Sequence, residues 1–221
     1  SANFEANFDV KTGKLTALDY GDGNILLQGI QPNFWRATTD NDFGFNMPKN
    51  FEAWKKATAN PTLISIQLKD GNKIMDLKSI SNRKNLKNTS AYFQVLYQLP
   101  DDMAKIQLVY KIDASGQITV TNSLLDVKES VPNMPRFGNN FILKNEYNLV
   151  NWYGRGPQEN YQDRNTSAFV GNYKASVEDL YFAYGRPQEN GYKTDVRWVT
   201  FTNNSGKGIR VLSSKLLSFS A

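Results

Sequence analysis

The chain has 221 residues, a mass of 25.0 kDa and a net charge of +5 from 26 basic and 21 acidic side chains. Hydrophobic residues make up 40% and aromatics 13%, a globular composition that excludes a disordered chain. Neither histidine nor cysteine occurs, which rules out a Ser-His-Asp or Cys-His relay, a thiol nucleophile, disulfides and thiolate zinc sites; carboxylate, lysine, tyrosine and arginine chemistry remain.

The length suits one domain, and no linker divides residues 1–221 in two. No run approaches the ~20 apolar residues of a membrane helix. The opening Ser1-Ala2-Asn3-Phe4-Glu5 has no basic segment followed by an apolar one, so no leader is read there, and the compartment stays open. The basic excess gathers around Lys69, Lys73, Lys78, Arg83, Lys84 and Lys87. With no aromatic platform among them, these lysines predict a solvated hairpin rather than a nucleic-acid surface.

Period-two alternation begins at Phe4, Ala6, Phe8 and Val10, turns at Lys11-Thr12-Gly13 and returns from Leu15 to Tyr20. Gly21-Asp22-Gly23-Asn24 is a turn, because these residues tolerate positive φ. Asn50 is placed to cap a helix over Phe51 to Ala57, with Phe51 and Trp54 on one face. Ile64, Ile66 and Leu68 alternate up to a hairpin at Asp70-Gly71, and Lys73 to Ile80 returns. Further strands are predicted over Ala91 to Gln98, Ile106 to Ile112, Ile118 to Val120, Phe141 to Leu143, Leu149 to Tyr153, Val196 to Thr202 and Ile209 to Ser213. Ser176 to Tyr184 reads as one helical turn or an irregular stretch. Many strands separated by Gly, Asn and Pro turns indicate an all-β sandwich or barrel.

Pro157-Gln158-Glu159-Asn160 recurs thirty residues later as Pro187-Gln188-Glu189-Asn190. Each proline fixes φ and removes a donor, so each copy is expected to start an irregular segment whose polar trio sits at the rim of a sheet. Around the first copy, Arg155, Arg164, Arg186 and Arg197 can pair with Glu159, Asp163, Glu189 and Asp195. Such a cluster is costly to bury unless its charges pair and its amides bond, and a mutual salt-bridge network needs no ligand.

Four motifs occur in order: Phe34-Trp35-Arg36-Ala37-Thr38-Thr39-Asp40-Asn41-Asp42-Phe43-Gly44, then Met134-Pro135-Arg136-Phe137-Gly138, then Trp152 to Arg164, then Pro187-Gln188-Glu189-Asn190-Gly191. Their succession resembles the C-terminal small-chain domain of β-galactosidases of glycoside hydrolase family 2, over essentially the whole chain. The resemblance implies a galactose-mutarotase-like supersandwich, a large antiparallel β-sandwich. It implies catalytic carboxylates on a preceding (β/α)8 barrel rather than here, with retaining hydrolysis of terminal β-galactosides. Divalent and monovalent cations belong, by the same resemblance, to other domains, so this segment is expected to hold no catalytic residue, metal or cofactor.

Arg155, Glu159, Asn160, Asp163, Arg164, Glu189 and Asn190 remain as candidates for a sugar-facing rim, and Phe34 and Trp35 beside Asp40, Asn41 and Asp42 either line a domain contact or pack in the core. Asp40 to Gly44 is similar to a calcium loop but lacks the distant glutamate of an EF-hand. Members of the family continue past a position like Leu217 to Ala221, through a histidine-bearing stretch and a Gly-Gly-Asp-x-Ser-Trp motif. The chain is therefore read as one domain, 1–221, incomplete at its C-terminal end and prone to self-association through open sheet edges.

The reading is a noncatalytic sandwich domain that packs on the barrel and helps shape its sugar site, with no nucleic-acid or membrane partner. An autonomous carbohydrate-binding module, with a galactoside or other carbohydrate as ligand, is the alternative. The separately encoded small subunit of a two-chain enzyme is disfavoured by the missing tryptophan motif, and an aldose epimerase by the missing histidine. Sequons at Asn88, Asn165 and Asn203 matter only in a secreted, glycosylated product.

Overall fold

A computed structural model describes residues 4–70, 73–77 and 90–221. Gly71, the return strand beyond Leu77, Lys78, Arg83, Lys84, Lys87 and the sequon asparagine Asn88 lie outside the described residues. Contacts divide the chain into two compact units, Ser1–Arg36 with Asn46–Leu143, and Ala37–Phe45 with Lys144–Ala221. Among the described residues every strand pairing is antiparallel, so the all-β sandwich class read from the strand spacing holds.

In the first unit, β1 (Glu5–Phe8) pairs with β2 (Leu15–Asp19), and β3 (Leu26–Asn33) reaches across the sequence to pair with the later strand Gly138–Leu143. A five-stranded sheet has the order β5-β4-β6-β7-β8, from Lys73–Asp76, Thr62–Asp70, Ser90–Gln98, Lys105–Asp113 and Ile118–Leu125. Alternation sends Ile66, Leu68, Phe93, Val95, Ile106, Leu108 and Tyr110 to one buried face. Phe8 covers that face, its ring centroid 3.8 Å from that of Phe93. Phe34 and Trp54 join the same core, and the Trp54 indole N–H donates to Pro132 O at 2.8 Å. Phe34 is thus core, and Trp35 packs partly buried against it with the Lys55 ammonium 5.9 Å above its ring. A cavity of about 20 Å³ lined by Phe34, Tyr97, Leu99 and Ile106 has room for one water, not a sugar ring.

Where the sequence predicts one helix over Phe51 to Ala57, the structure has two further short ones, Asp40–Gly44 and Met47–Asn50, and the cap differs as well. Asn50 closes α2 (Met47–Asn50) instead of capping the next helix, α3 (Glu52–Ala59), whose N-cap is Phe51 with no side-chain cap bond. Pro48 accounts for this: lacking an N–H, it suits a first helical turn, so the helix starts at Met47 behind a left-handed Asn46 and engulfs Asn50.

In the second unit, α1 (Asp40–Gly44) accompanies a four-stranded sheet of order β11-β10-β12-β13, from Phe169–Ser176, Leu149–Gly156, Lys193–Thr202 and Gly208–Phe219. Val150, Trp152, Val196, Val199 and Phe201 form its buried face, with Phe219 edge-on to Trp152 and Phe201. The run resembling a calcium loop is the start of α1: Asp42 accepts from Thr39 N at 2.7 Å and Thr39 Oγ1 at 3.0 Å, a capping box. The stretch Ser176 to Tyr184 resolves into the end of β11, one 3-10 turn at Glu178–Leu180 and irregular chain. Strand β9 is the Gly138–Leu143 partner of β3.

Strand β3 carries no clear alternation in sequence. It contains Gly29, where an added Cβ would lie 1.8 Å from Leu15 O, so only glycine lets it pass β2 so closely. Gly29→Ala is therefore expected to cost about 3 kcal/mol or more in urea unfolding. Gly138→Ala, on the partner strand with only Arg136 Cγ at 3.9 Å, should stay within about 1 kcal/mol of wild type. Equal losses at the two glycines would contradict this strand packing.

Candidate functional site

The polar segment begins on β10. Gly154 and Gly156 share the buried face with Trp152, where a Cβ on Gly154 would lie 2.6 Å from Val196 Cγ2 and one on Gly156 2.8 Å from the Tyr173 ring. Alternation then turns Arg155 to the opposite face. Its Nε donates to Asp195 Oδ2 at 2.5 Å, and its Nη1 to Asn165 O at 3.1 Å and Ala168 O at 2.8 Å. Asp195 itself sits at φ +52, a conformation aspartate tolerates better than most residues, and its carbonyl accepts from Arg197 at 2.5 Å. One arginine thus ties β10 to the start of β12 and to the turn before β11.

Beyond the cis Gly156-Pro157 bond the chain folds back on itself. Asn160, 1% exposed, accepts from Thr194 N at 3.0 Å and Thr194 Oγ1 at 2.6 Å; its backbone N–H donates to Tyr192 O at 2.8 Å. Its Nδ2 donates to Gln158 O at 3.1 Å. In the second copy Asn190 makes the same bond to Gln188 O at 3.4 Å. The sequence echo is therefore a repeated local turn, in which each asparagine closes on the glutamine two residues back.

The glutamates depart from the expected outward rim. Glu189 is 7% exposed and the Glu159 side chain 13%, because burial is made tolerable by partners. Glu159 Oε1 accepts from the Tyr184 hydroxyl and from Arg164 Nη2 at 3.4 Å, while Oε2 accepts from Gly191 N at 2.9 Å. The Arg164 guanidinium also lies 4.4 Å over the Tyr161 ring, which stacks on Tyr192 at 5.3 Å. Tyr161 donates to Glu189 O at 3.2 Å, joining the two copies. Burial, followed by the Glu159 and Glu189 carboxylates, pushes the Tyr161 hydroxyl up to about 12.

Of the remaining candidates, Asp163 is exposed. Arg186 turns elsewhere, to Asp40 at 3.6 Å and over the Phe43 ring at 4.1 Å. Sequence reasoning missed Lys193, Tyr184 and Thr194. Lysine is read by default as a solvated residue, yet Lys193 is 1% exposed, its Nζ donating to Gly191 O at 3.1 Å and lying 5.5 Å over the Trp152 ring. Burial pushes its ammonium down to about 8, with Glu159 pulling the other way. Among the described residues no group of three or more acidic side chains is placed to hold a metal ion.

The arrangement engages both oxygens of Glu159 and two of the Arg155 nitrogens, and so joins turns and strands. Asn160→Ala, which orphans buried Thr194, should cost about 3 kcal/mol in chemical unfolding, and Asn190→Ala, which loses one long bond, under about 1 kcal/mol. Equal effects would refute the asymmetry. For Lys193, both folded and unfolded chains hold the proton below pH 8, so the burial cost is fully present there. Between pH 8 and 10 the unfolded chain keeps a proton that the folded chain releases, and stability should rise by roughly 2 kcal/mol. Above pH 10 the raised Tyr97 and Tyr161 reverse the trend, because their unfolded counterparts ionise first. Lys193→Met should lose the rise in a pH series of unfolding curves; an unchanged rise would place the titration elsewhere.

Comparison with known proteins bears on what this sandwich belongs to. The family model described as β-galactosidase small chain matches residues 1–221. The chain is 35% identical over 209 residues to the β-galactosidase of Priestia megaterium, covering 95% of this chain and 19% of that protein. It is 30% identical to the β-galactosidase of Halalkalibacterium halodurans and 27% identical to that of Streptococcus thermophilus, covering 96% and 99% of this chain and 20% of each relative. The chain thus spans about one-fifth of the length of these relatives. Motifs, antiparallel architecture and a match over all 221 residues agree, and the chain belongs to the β-galactosidase small-chain family.

Proposed function

We propose that this chain is a noncatalytic β-sandwich domain of a larger β-galactosidase that hydrolyses terminal β-galactosides. In this reading it packs on a (β/α)8 barrel and helps shape the sugar site there. The barrel supplies the two carboxyl groups of a retaining, family 2 mechanism, one as acid/base and one as nucleophile, ~5–5.5 Å apart. Any cations the reaction needs are held by those other domains. The observation that carries the proposal is the closed state of the polar segment: Glu159 accepts from Tyr184, Arg164 and Gly191, and Arg155 is held by Asp195 and two carbonyls. Freeing Glu159 for attack would leave the Tyr184 hydroxyl and the Gly191 N–H without this acceptor. The small share of each relative that the chain covers supports a modular role of this kind.

The purified 221-residue chain should not turn over a chromogenic β-galactoside above the buffer rate. Adding galactose should give no saturable change in tryptophan fluorescence. Turnover that disappears in Glu159→Gln would move the chemistry onto this chain, and saturable binding would favour an autonomous carbohydrate-binding module.

A further inference from the structure

Asn190-Gly191 is the single Asn-Gly dipeptide in the sequence. Asn-Gly is the peptide bond most prone to rearrangement, because glycine puts no side chain in the way of its own nitrogen. In that reaction the Gly191 amide loses its proton to hydroxide and its nitrogen attacks the Asn190 side-chain carbonyl carbon. The new N–C bond closes a succinimide, the bond from that carbon to Nδ2 breaks, and the amide nitrogen leaves as ammonia. Water then opens the ring at either carbonyl to give aspartate or isoaspartate. No redox change occurs, and water and hydroxide are the sole co-reactants.

The fold has placed this dipeptide where glycine is required. Gly191 lies at φ +72, and an added Cβ would lie 3.0 Å from Leu180 O. The glycine is then held through the peptide groups on either side of it. The N–H donates to Glu159 Oε2 at 2.9 Å and the C=O accepts from the buried Lys193 ammonium at 3.1 Å. On the other reactant, Asn190 Nδ2 is turned back to Gln188 O at 3.4 Å.

We infer that Asn190-Gly191 is a latent deamidation site which the Glu159 carboxylate and Lys193 hold inert in the folded chain. The sign follows from the chemistry. An amide N–H bonded to an anionic acceptor resists losing its proton, and a carboxylate is far too weak a base to remove it. The hydrogen bond also fixes the nitrogen pointing at Glu159, while the reaction needs it turned on the Asn190 side chain. The product would be a new carboxylate one residue from buried Glu189 and in the turn that holds Glu159, so the conversion also introduces like-charge repulsion into the network. Glu159 is in this respect a guarding residue for the backbone.

The test is peptide mapping by mass spectrometry of aspartate and isoaspartate at position 190, after incubation at mildly alkaline pH. The native chain should convert about tenfold more slowly, or slower still, than the same chain unfolded in urea. Folded Glu159→Ala should convert several-fold faster than wild type, and Glu159→Gln, whose amide oxygen can still accept the Gly191 N–H, should fall between. Hydrogen exchange at Gly191 in the wild-type chain provides a second reading should Glu159→Ala not fold, with protection expected. Native conversion at the unfolded rate, a folded Glu159→Ala no faster than wild type, or a freely exchanging Gly191 amide would overturn the inference.

Discussion

The second unit depends on one constraint: polar side chains taken out of water must find all their partners within the chain. Asn160, Thr194, Glu189 and Lys193 are buried at the junction of β10 and β12, where an unmet donor or acceptor costs more than a typical hydrogen bond contributes. Glu159 meets that constraint for several groups at once. By accepting from Tyr184, Arg164 and Gly191 it fixes the irregular chain between Leu180 and Lys193, which has no ladder of its own to hold it. Gly154 belongs to the same logic, since it lets β12 close on β10 and bring Asp195 within reach of the Arg155 guanidinium.

A closed network of this kind has a mechanical meaning. Locked turns present a surface more reproducibly than mobile ones. The same side chains in an open cleft would suggest acid–base work. Here the Glu159 carboxylate accepts from Tyr184, Arg164 and Gly191, which ties it to the turns around it.

Much of the fold was legible in residue order. Ile66, Leu68, Phe93, Val95, Ile106, Leu108 and Tyr110 alternate in sequence and lie on one buried face, since a period of two is what a half-buried strand imposes. Strand β11 was not legible. It is an edge strand whose Phe169 and Val170 are exposed, so neither face is marked by apolar residues. Strand β3 was hidden by Gly29 and Pro32, which read as loop residues and serve instead close approach and an irregular register. The polar segment was visible as a cluster, and Arg155 with Asp195 was among its possible pairs. Its depth was not visible. Tyr184 and Lys193 lie 25 and 34 residues from Glu159, and nothing local to either announces burial beside a carboxylate. Arg186 shows the limit from the other side, since it pairs with Asp40, far earlier in the chain.

The most direct measurement of whether Glu159 acts as a structural hub is a double-mutant cycle with Tyr184. Unfolding free energies of Glu159→Gln, Tyr184→Phe and the double variant would isolate the energy the two side chains share. A hub predicts a coupling of about 1–3 kcal/mol between them. Strict additivity of the two single losses would mean that the carboxylate is solvated, and that the closed network is not what holds this domain together.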